Sequence, residues 1–332
     1  MIEYGSPLTG ALLGAALLGV LTTAALSASC AGKGAAAGTG AATESPASSA
    51  SAKPTIAVSI LPQAWFVRRI AADRVEPLVL VGKGQSPHSW EPSPRSLEEL
   101  SRAAAWVTVG IDFERALEPK VRALYPGMRI ADGSRNVAFR KLEAHSHEDG
   151  EVRQENGSER AEGGQDAADG RDPHFWLGRD GAERLAENIR DLLSAIDPEG
   201  AETFASNSAT LVQEIDALFA SLRADLASLK GTTAFVYHPA FGYFLDEFGM
   251  VQEAVETGGK EPTAKNLSSL IREAKDDGAK VIFVQVQFPS AAARTVARAI
   301  GGEVVEIDDL AEDWDANLRR MGAALRKAAG RM

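Results

Sequence analysis

The fold is decided by the stretch at residues 233–244, which reads TAFVYHPAFGYF. Its first five residues are mostly apolar, aromatic or β-branched, which predicts a short buried strand over 233–237. His238 stands where this strand ends, and a helical pattern follows from about residue 242. A strand that leads into a polar residue and then a helix is typical of α/β sheets, which bind ligands beyond the carboxyl ends of their strands.

The same unit recurs on both sides of this stretch. We predict further strands and intervening helices, the strands at 56–60, 75–81, 106–109, 281–286 and 303–307, and the helices at 65–70, 96–104, 179–193, 242–248, 264–276 and 290–300. A long helix is predicted to begin after Asp197-Pro198 and to run to about residue 229, with leucine and isoleucine at helical spacing from Leu211 onward, and it would measure roughly 45 Å. The fold class is therefore α/β: two lobes with mainly parallel sheets, at 54–197 and 230–332, joined by one long rigid helix.

The N-terminus predicts export and anchoring. Residues 4–29 are uncharged and largely apolar, and they end in small residues before Cys30, the single cysteine of the chain. This pattern predicts a signal peptide over 1–29, and the small residues before Cys30 resemble a bacterial lipobox, so that Cys30 becomes the lipidated first residue. An uncleaved transmembrane anchor is the alternative. Residues 30–53 are mostly Ala, Gly, Ser and Thr and predict a flexible tether.

An acidic insertion interrupts the first lobe at 143–172. It holds ten Asp or Glu and only two histidines, His145 and His147, which predicts a disordered segment. It either samples metal weakly or has no role. The formal net charge of the chain is −11, which argues against a nucleic-acid-binding surface.

Four polar residues are candidate metal ligands. His88 follows the strand at 75–81, His238 ends the strand at 233–237, Asp308 follows the strand at 303–307, and His174 precedes a helix. Three imidazoles and one carboxylate suit Zn²⁺ in tetrahedral geometry, whereas Mn²⁺ tolerates fewer imidazoles and more carboxylates. The spacing of the histidines does not distinguish a metal ligand from a structural polar side chain near a helix cap.

A resemblance to a known family decides between these readings. The segments 86–94 (SPHSWEPSP), 172–177 (DPHFWL), 237–244 (YHPAFGYF), 261–262 (EP) and 307–310 (IDDL) resemble, in order, the motifs of the metal-binding proteins of zinc and manganese ABC importers, called cluster A-I. The resemblance covers about 54–330. It implies two α/β lobes, one linking helix and a metal buried between the lobes.

The resemblance also implies the ligands and the metal. His88, His174 and His238 match the first three ligand positions, and a histidine at the third favours zinc, where manganese members tend to have Glu. Asp308 is the expected fourth ligand, with Glu91 or a water as alternatives. One departure is Gln285, where members often carry Glu, so the local hydrogen bonding is expected to differ.

We therefore expect a monomeric, extracytoplasmic protein, lipid-anchored to the cell membrane on its periplasmic side, that captures Zn²⁺ and delivers it to an ABC permease and its ATPase. It is not expected to be an enzyme, because the chain has no HExxH motif and a fourth protein ligand would close the zinc shell to water. The alternatives are a Mn²⁺-binding member of the same family, a secreted zinc hydrolase and a metal-stabilised adhesin.

Overall fold

Two four-stranded sheets dominate the computed structural model, which describes residues 53–142, 170–256, 263–288 and 291–330. The predicted signal peptide, Cys30, the tether up to residue 52, residues 143–169 of the insertion and the motif at 261–262 lie outside the described residues. Within the described part of the chain, no helix is both long enough and apolar enough to cross a bilayer.

The first lobe is a parallel sheet with the strand order β2-β1-β3-β4. Its elements in chain order are β1 (Thr55–Val58), α1 (Leu61–Ala71), β2 (Glu76–Val79), α2 (Pro94–Ser101), β3 (Ala105–Thr108), α3 (Asp112–Leu124) and β4 (Arg129–Asp132), followed by α4 (Arg179–Ile196).

The second lobe repeats this topology with the parallel order β6-β5-β7-β8. After α5 (Ala201–Asp225) its elements are β5 (Thr233–Val236), α6 (Gly242–Asp246), β6 (Val251–Ala254), α7 (Ala264–Asp276), β7 (Val281–Gln285), α8 (Ala291–Ala299), β8 (Glu303–Ile307) and α9 (Trp314–Ala329). The predicted fold class, two α/β lobes with mainly parallel sheets, is confirmed.

All four central strands, β1, β3, β5 and β7, fall on strands that the sequence predicts. β3 and β7 are buried along their whole length, because helices cover both faces of a parallel sheet. The edge strands β4 and β6 lie outside the predicted strands. Both are only four residues long and carry charged or amide side chains, so neither forms the apolar run by which a buried strand is recognised.

The linking helix is shorter than predicted. A 3₁₀ turn occupies Pro198–Gly200, the α-helix itself runs over the 25 residues Ala201–Asp225, and a second 3₁₀ turn covers Ala227–Leu229. At the standard rise per residue α5 is about 37 Å long. It packs on α1 and α4 of the first lobe and on α9 of the second, and it therefore joins the two lobes through shared core contacts.

Candidate metal centre

Three loops bring the predicted histidines together. His88 lies in the loop between β2 and α2, His174 directly precedes the 3₁₀ turn Phe175–Leu177, and His238 follows β5. His174 and His238 are buried and His88 is partly buried. One ring nitrogen from each of the three lies within 4.8 Å of the others, and among the described residues this is the group of histidine and acidic side chains suited to hold a metal ion.

The distances between these ring nitrogens match a tetrahedral zinc site. The Nε2 atom of His238 lies 3.2 Å from that of His88 and 3.4 Å from that of His174. Zinc–nitrogen bonds of about 2.0 Å in a regular tetrahedron place neighbouring nitrogens about 3.3 Å apart. His238 therefore stands from both His88 and His174 at the spacing that one bound zinc ion requires.

Two buried carboxylates fix the orientation of these rings. Asp172 accepts a hydrogen bond from Nδ1 of His174 at 2.8 Å, and Glu256 accepts one from Nδ1 of His238 at 2.7 Å. Because a carboxylate can only accept, each Nδ1 carries a proton, and in its neutral form each ring presents the lone pair of its Nε2. Two lone pairs that face each other at 3.4 Å repel unless a cation lies between them.

The register of the second sheet explains why His238 has these neighbours. Val236 of β5 pairs with Ala254 of β6 and with Phe283 of β7. Two residues further along each strand, the same alignment sets Glu256 on one side of His238 and Gln285 on the other. Burial lowers the pKa of His238 to about 4, and the nearby His88 and His174 lower it further, whereas the hydrogen bond that His238 donates to Glu256 acts to raise it.

Gln285 stands where members of the resembled family often carry Glu, and its side chain makes two hydrogen bonds with the backbone of His238. Its Oε1 accepts from the backbone nitrogen of His238 at 3.3 Å, and its Nε2 donates to the carbonyl oxygen of the same residue at 3.0 Å. The side chain is fully buried. An amide can accept and donate at once, whereas an ionised Glu could make only the first of these bonds.

The acidic residues after β8 lie beside the histidines rather than among them. Asp308 is partly exposed, and its Oδ1 accepts from Nε2 of Gln287 at 2.7 Å and from the backbone of Leu310 at 2.9 Å. Asp309 is buried and interacts electrostatically with His174 and His88, and its Oδ1 has no hydrogen-bond partner among the described residues. Burial raises the pKa of Asp309 to about 6.

The remaining candidates are less closely placed. Glu91, the alternative fourth ligand, is exposed, and the structure does not include it in the histidine group. His145, His147 and Cys30 lie outside the described residues. Asp172, the last residue of the predicted insertion, is fully buried and hydrogen-bonded to His174, so it belongs to the candidate centre.

Aromatic side chains enclose the centre. The ring of Phe288 stacks on His238 with centroids 4.9 Å apart. Trp176 is buried beside His174, and its Nε1 donates to the carbonyl oxygen of Asp309 at 2.9 Å, a bond between the lobes. The bond from Trp176 holds the loop after β8 against the first lobe.

Sequence reasoning missed Glu256 and Asp172 as partners of the ligands. Asp172 is part of a motif that the sequence analysis quotes, and its position two residues before His174 was the available signal. Glu256 would have been found by recognising β6 as a parallel neighbour of β5, since both polar residues come directly after their strands.

The chain is similar to known proteins over nearly the whole of both lobes. The family model described as "ZnuA: Zinc-uptake complex component A periplasmic" matches residues 56–328. The chain is 27% identical over 266 residues to the zinc-binding protein AdcA of Streptococcus pyogenes, covering 79% of this chain and 51% of that protein. It is also 27% identical over 258 residues to the zinc-binding lipoprotein AdcA of Streptococcus pneumoniae, covering 76% and 49%.

A crystal structure of ZnuA superposes with a TM-score of 0.73 at 29% identity, covering 83% of this chain and 99% of that one. The chain spans about half the length of the AdcA proteins, whereas it matches nearly the full length of the ZnuA structure.

Proposed function

Because the chain belongs to the ZnuA family of zinc-uptake components, we propose that it captures one Zn²⁺ ion through His88, His174 and His238 and delivers it to the permease of an ABC importer. The family comprises metal-binding subunits of transporters, which supports a carrier over a hydrolase.

The facing Nε2 atoms of His174 and His238 carry this proposal. Each ring is buried, each is held in one tautomer by a carboxylate, and the two lone pairs point toward each other at 3.4 Å. Such an arrangement is unfavourable without a cation and strongly favourable with one. Hydrogen bonds from the second ring nitrogen to carboxylates are the usual support of zinc-binding histidines.

Zinc is the metal that this donor set suits best. Three imidazole nitrogens favour a borderline-soft ion in tetrahedral geometry, whereas Mn²⁺ prefers a larger number of oxygen ligands. The zinc-binding AdcA relatives support the same choice. A Mn²⁺-binding role is the alternative that a direct competition between the two metals decides.

Asp308 is our proposed fourth ligand, and Asp309 is its competitor. The two hydrogen bonds that Asp308 accepts orient its carboxylate, as is common for ligating carboxylates. In favour of Asp309 are its burial and its unpaired Oδ1. Glu91 or a water remains the third option. A protein ligand at this position would complete the shell of the ion and leave no open site for hydrolysis.

Delivery requires partners in the membrane. We propose an ABC permease with its ATPase as the recipients of the zinc. A lipid on Cys30 anchors the chain at the extracytoplasmic face of the membrane, where the chain acts as a monomer. The lipobox-like sequence before Cys30 supports the anchor, and the periplasmic location in the family description supports the compartment.

The binding proposal is tested by metal competition. We expect the purified protein to bind Zn²⁺ in preference to Mn²⁺ in titrations against a chelator, and His238→Ala to lose tight binding because it removes a ligand at the centre of the group. His145→Ala, the same substitution in the insertion, serves as the matched control and should bind as the wild type does. Tight binding by His238→Ala would refute the site, and comparison of Asp308→Ala with Asp309→Ala identifies the fourth ligand.

A further inference from the structure

Arg140 lies between the candidate centre and the second lobe. It is the third residue before the undescribed part of the insertion, and its side chain is 14% exposed. Neither the motifs nor the metal-binding geometry assigns it a role. Its contacts reach both Asp172, which orients His174, and helix α6 of the opposite lobe.

Arg140 and Asp172 are held side by side by the backbone. The backbone nitrogen of Asp172 donates to the carbonyl oxygen of Arg140 at 3.0 Å, and that of Leu142 donates to the carbonyl oxygen of Gly170 at 3.0 Å. This short antiparallel ladder closes the base of the insertion. It places Arg140 and Asp172 directly opposite each other, through backbone bonds that do not involve the residues between 142 and 170.

The two oxygens of Asp172 are divided between Arg140 and His174. Oδ2 accepts from Nη1 of Arg140 at 3.1 Å, whereas Oδ1 accepts from Nδ1 of His174 at 2.8 Å and from its backbone nitrogen at 3.0 Å. Asp172 is fully buried. Without the guanidinium, Oδ2 would lose this donor, and the orientation of the carboxylate would depend on the two bonds from His174 to Oδ1.

The second lobe provides the position in which Arg140 is held. Nε of Arg140 donates to Oδ2 of Asp246 at 3.0 Å, and its backbone nitrogen donates to the hydroxyl of Tyr243 at 3.0 Å. Burial raises the pKa of Tyr243 to about 12, so its hydroxyl stays protonated and donates in turn to the carbonyl oxygen of Asp172 at 2.9 Å.

Gly242 completes this arrangement, because a Cβ atom at that position would overlap the guanidinium of Arg140. The absence of a side chain at Gly242 is therefore what allows Arg140 to lie against the start of α6. Gly242 and Tyr243 belong to the same motif as His238. Through Arg140 and Asp172, however, they contact the residues that orient a different ligand, His174.

We propose that Arg140 is a positioning residue for His174: seated on Gly242, Tyr243 and Asp246 of the second lobe, it fixes the Asp172 carboxylate that orients the imidazole. Contact between the lobes thereby sets the geometry of a ligand that the first lobe contributes. This inference rests on the proposed zinc site and adds a residue that acts on His174 through Asp172.

The test compares Arg140→Gln with Arg135→Gln, a matched control whose arginine binds Asn188 and Asp191 away from the centre. We expect the first variant of the full chain to bind Zn²⁺ roughly tenfold more weakly, at the lower end of what loss of an outer-shell partner costs. At saturating Co²⁺, its visible absorption should also differ from that of the wild type, because the ligand geometry has changed. A merely structural role would leave that spectrum unaltered.

Gly242→Ala provides a second variant that keeps the arginine. The added methyl group meets the end of a flexible side chain, so the fold is retained while the guanidinium moves, and both zinc affinity and the Co²⁺ spectrum should change as in Arg140→Gln. Asp246→Asn should weaken binding to a smaller extent, since it removes only one of the contacts with the second lobe. Wild-type affinity in that variant would overturn the part played by the second lobe.

Zinc binding by the wild type separates the two proposals. If the wild type itself fails to bind Zn²⁺, the proposed function is refuted. If the wild type binds and both Arg140→Gln and Gly242→Ala match it in affinity and in Co²⁺ spectrum, the positioning role of Arg140 is refuted while the metal site stands.

Discussion

Replacing Glu256 with Gln isolates what a buried carboxylate contributes to the metal centre. The substitution keeps the shape of the side chain but removes its charge, at a position that is 3% exposed and 2.7 Å from Nδ1 of His238. A Gln oxygen can still accept this bond, although more weakly than a carboxylate. If the amide nitrogen faces the ring instead, Nδ1 must accept, the proton moves to Nε2, and the ligand atom is blocked.

The expected magnitude follows from the directness of this contact. Loss of an outer-shell partner of a zinc-binding histidine typically lowers metal affinity 10- to 100-fold, which corresponds to about 1.4–2.7 kcal/mol. We expect Glu256→Gln in this range, because the bond is short and both His238 and Glu256 are buried. The measurement is a chelator competition titration with Zn²⁺ at neutral pH, with thermal unfolding of the metal-free protein to verify the fold.

Glu306→Gln is the matched control, because it makes the same change of charge at an exposed position on β8 of the same lobe. It should bind zinc as the wild type does. The reasoning is refuted if Glu256→Gln stays within error of the wild type, or if Glu306→Gln weakens binding equally, since the effect would then come from net charge rather than from the contact with His238.

Two further predictions concern acid and the insertion. The pKa of His238 is about 4 in the folded protein, against an ordinary value of 6.5, so the unfolded state binds more protons between these two pH values. As the pH falls from 6.5 to 4, the metal-free protein should therefore lose about 3 kcal/mol of the unfolding free energy that depends on His238. The measurement is the difference in unfolding free energy between the wild type and His238→Gln, obtained by denaturant titration at each pH. Asp309, whose raised pKa acts in the opposite direction, is present in both proteins and cancels in this difference. A difference that stays constant from pH 6.5 to 4 would contradict the prediction. Deletion of 145–168 should leave zinc affinity unchanged in the same titrations, because the ladder between Leu142 and Gly170 keeps the base of the insertion closed; loss of tight binding would assign the insertion a direct part in the site.

The strands that lead to the site could be predicted because they are short apolar runs bounded by turn residues. β8 is predicted with its observed ends, and β5 and β7 extend within one residue of the predicted ranges. The edge strand β6 was missed because half of its four residues are polar. That omission also hid Glu256, whose position beside His238 depends on which strand pairs with β5.

The linking helix shows a second limit of the sequence pattern. The predicted helix covers 198–229, with leucine and isoleucine at helical spacing from Leu211 to Leu229, but the first and last turns of this range are 3₁₀ rather than α. At the start, the side chain of Asp197 accepts from the backbone of Gly200, a local bond that the apolar period does not reveal. Periodicity reports which face is buried and is insensitive to how the terminal turns are hydrogen-bonded.

The sequence alone determined the class of this protein: the alternation of strands and helices, the three histidines at loop positions and the order of the motifs around them. Only the tertiary structure decided how those residues work together. The separation of the Nε2 atoms, the carboxylate that holds His238, and the position of Arg140 on Gly242 depend on contacts between residues 18 to 150 positions apart. Local pattern fixes which residues end a strand, but the pairing of strands and the packing of the lobes fix which of them meet.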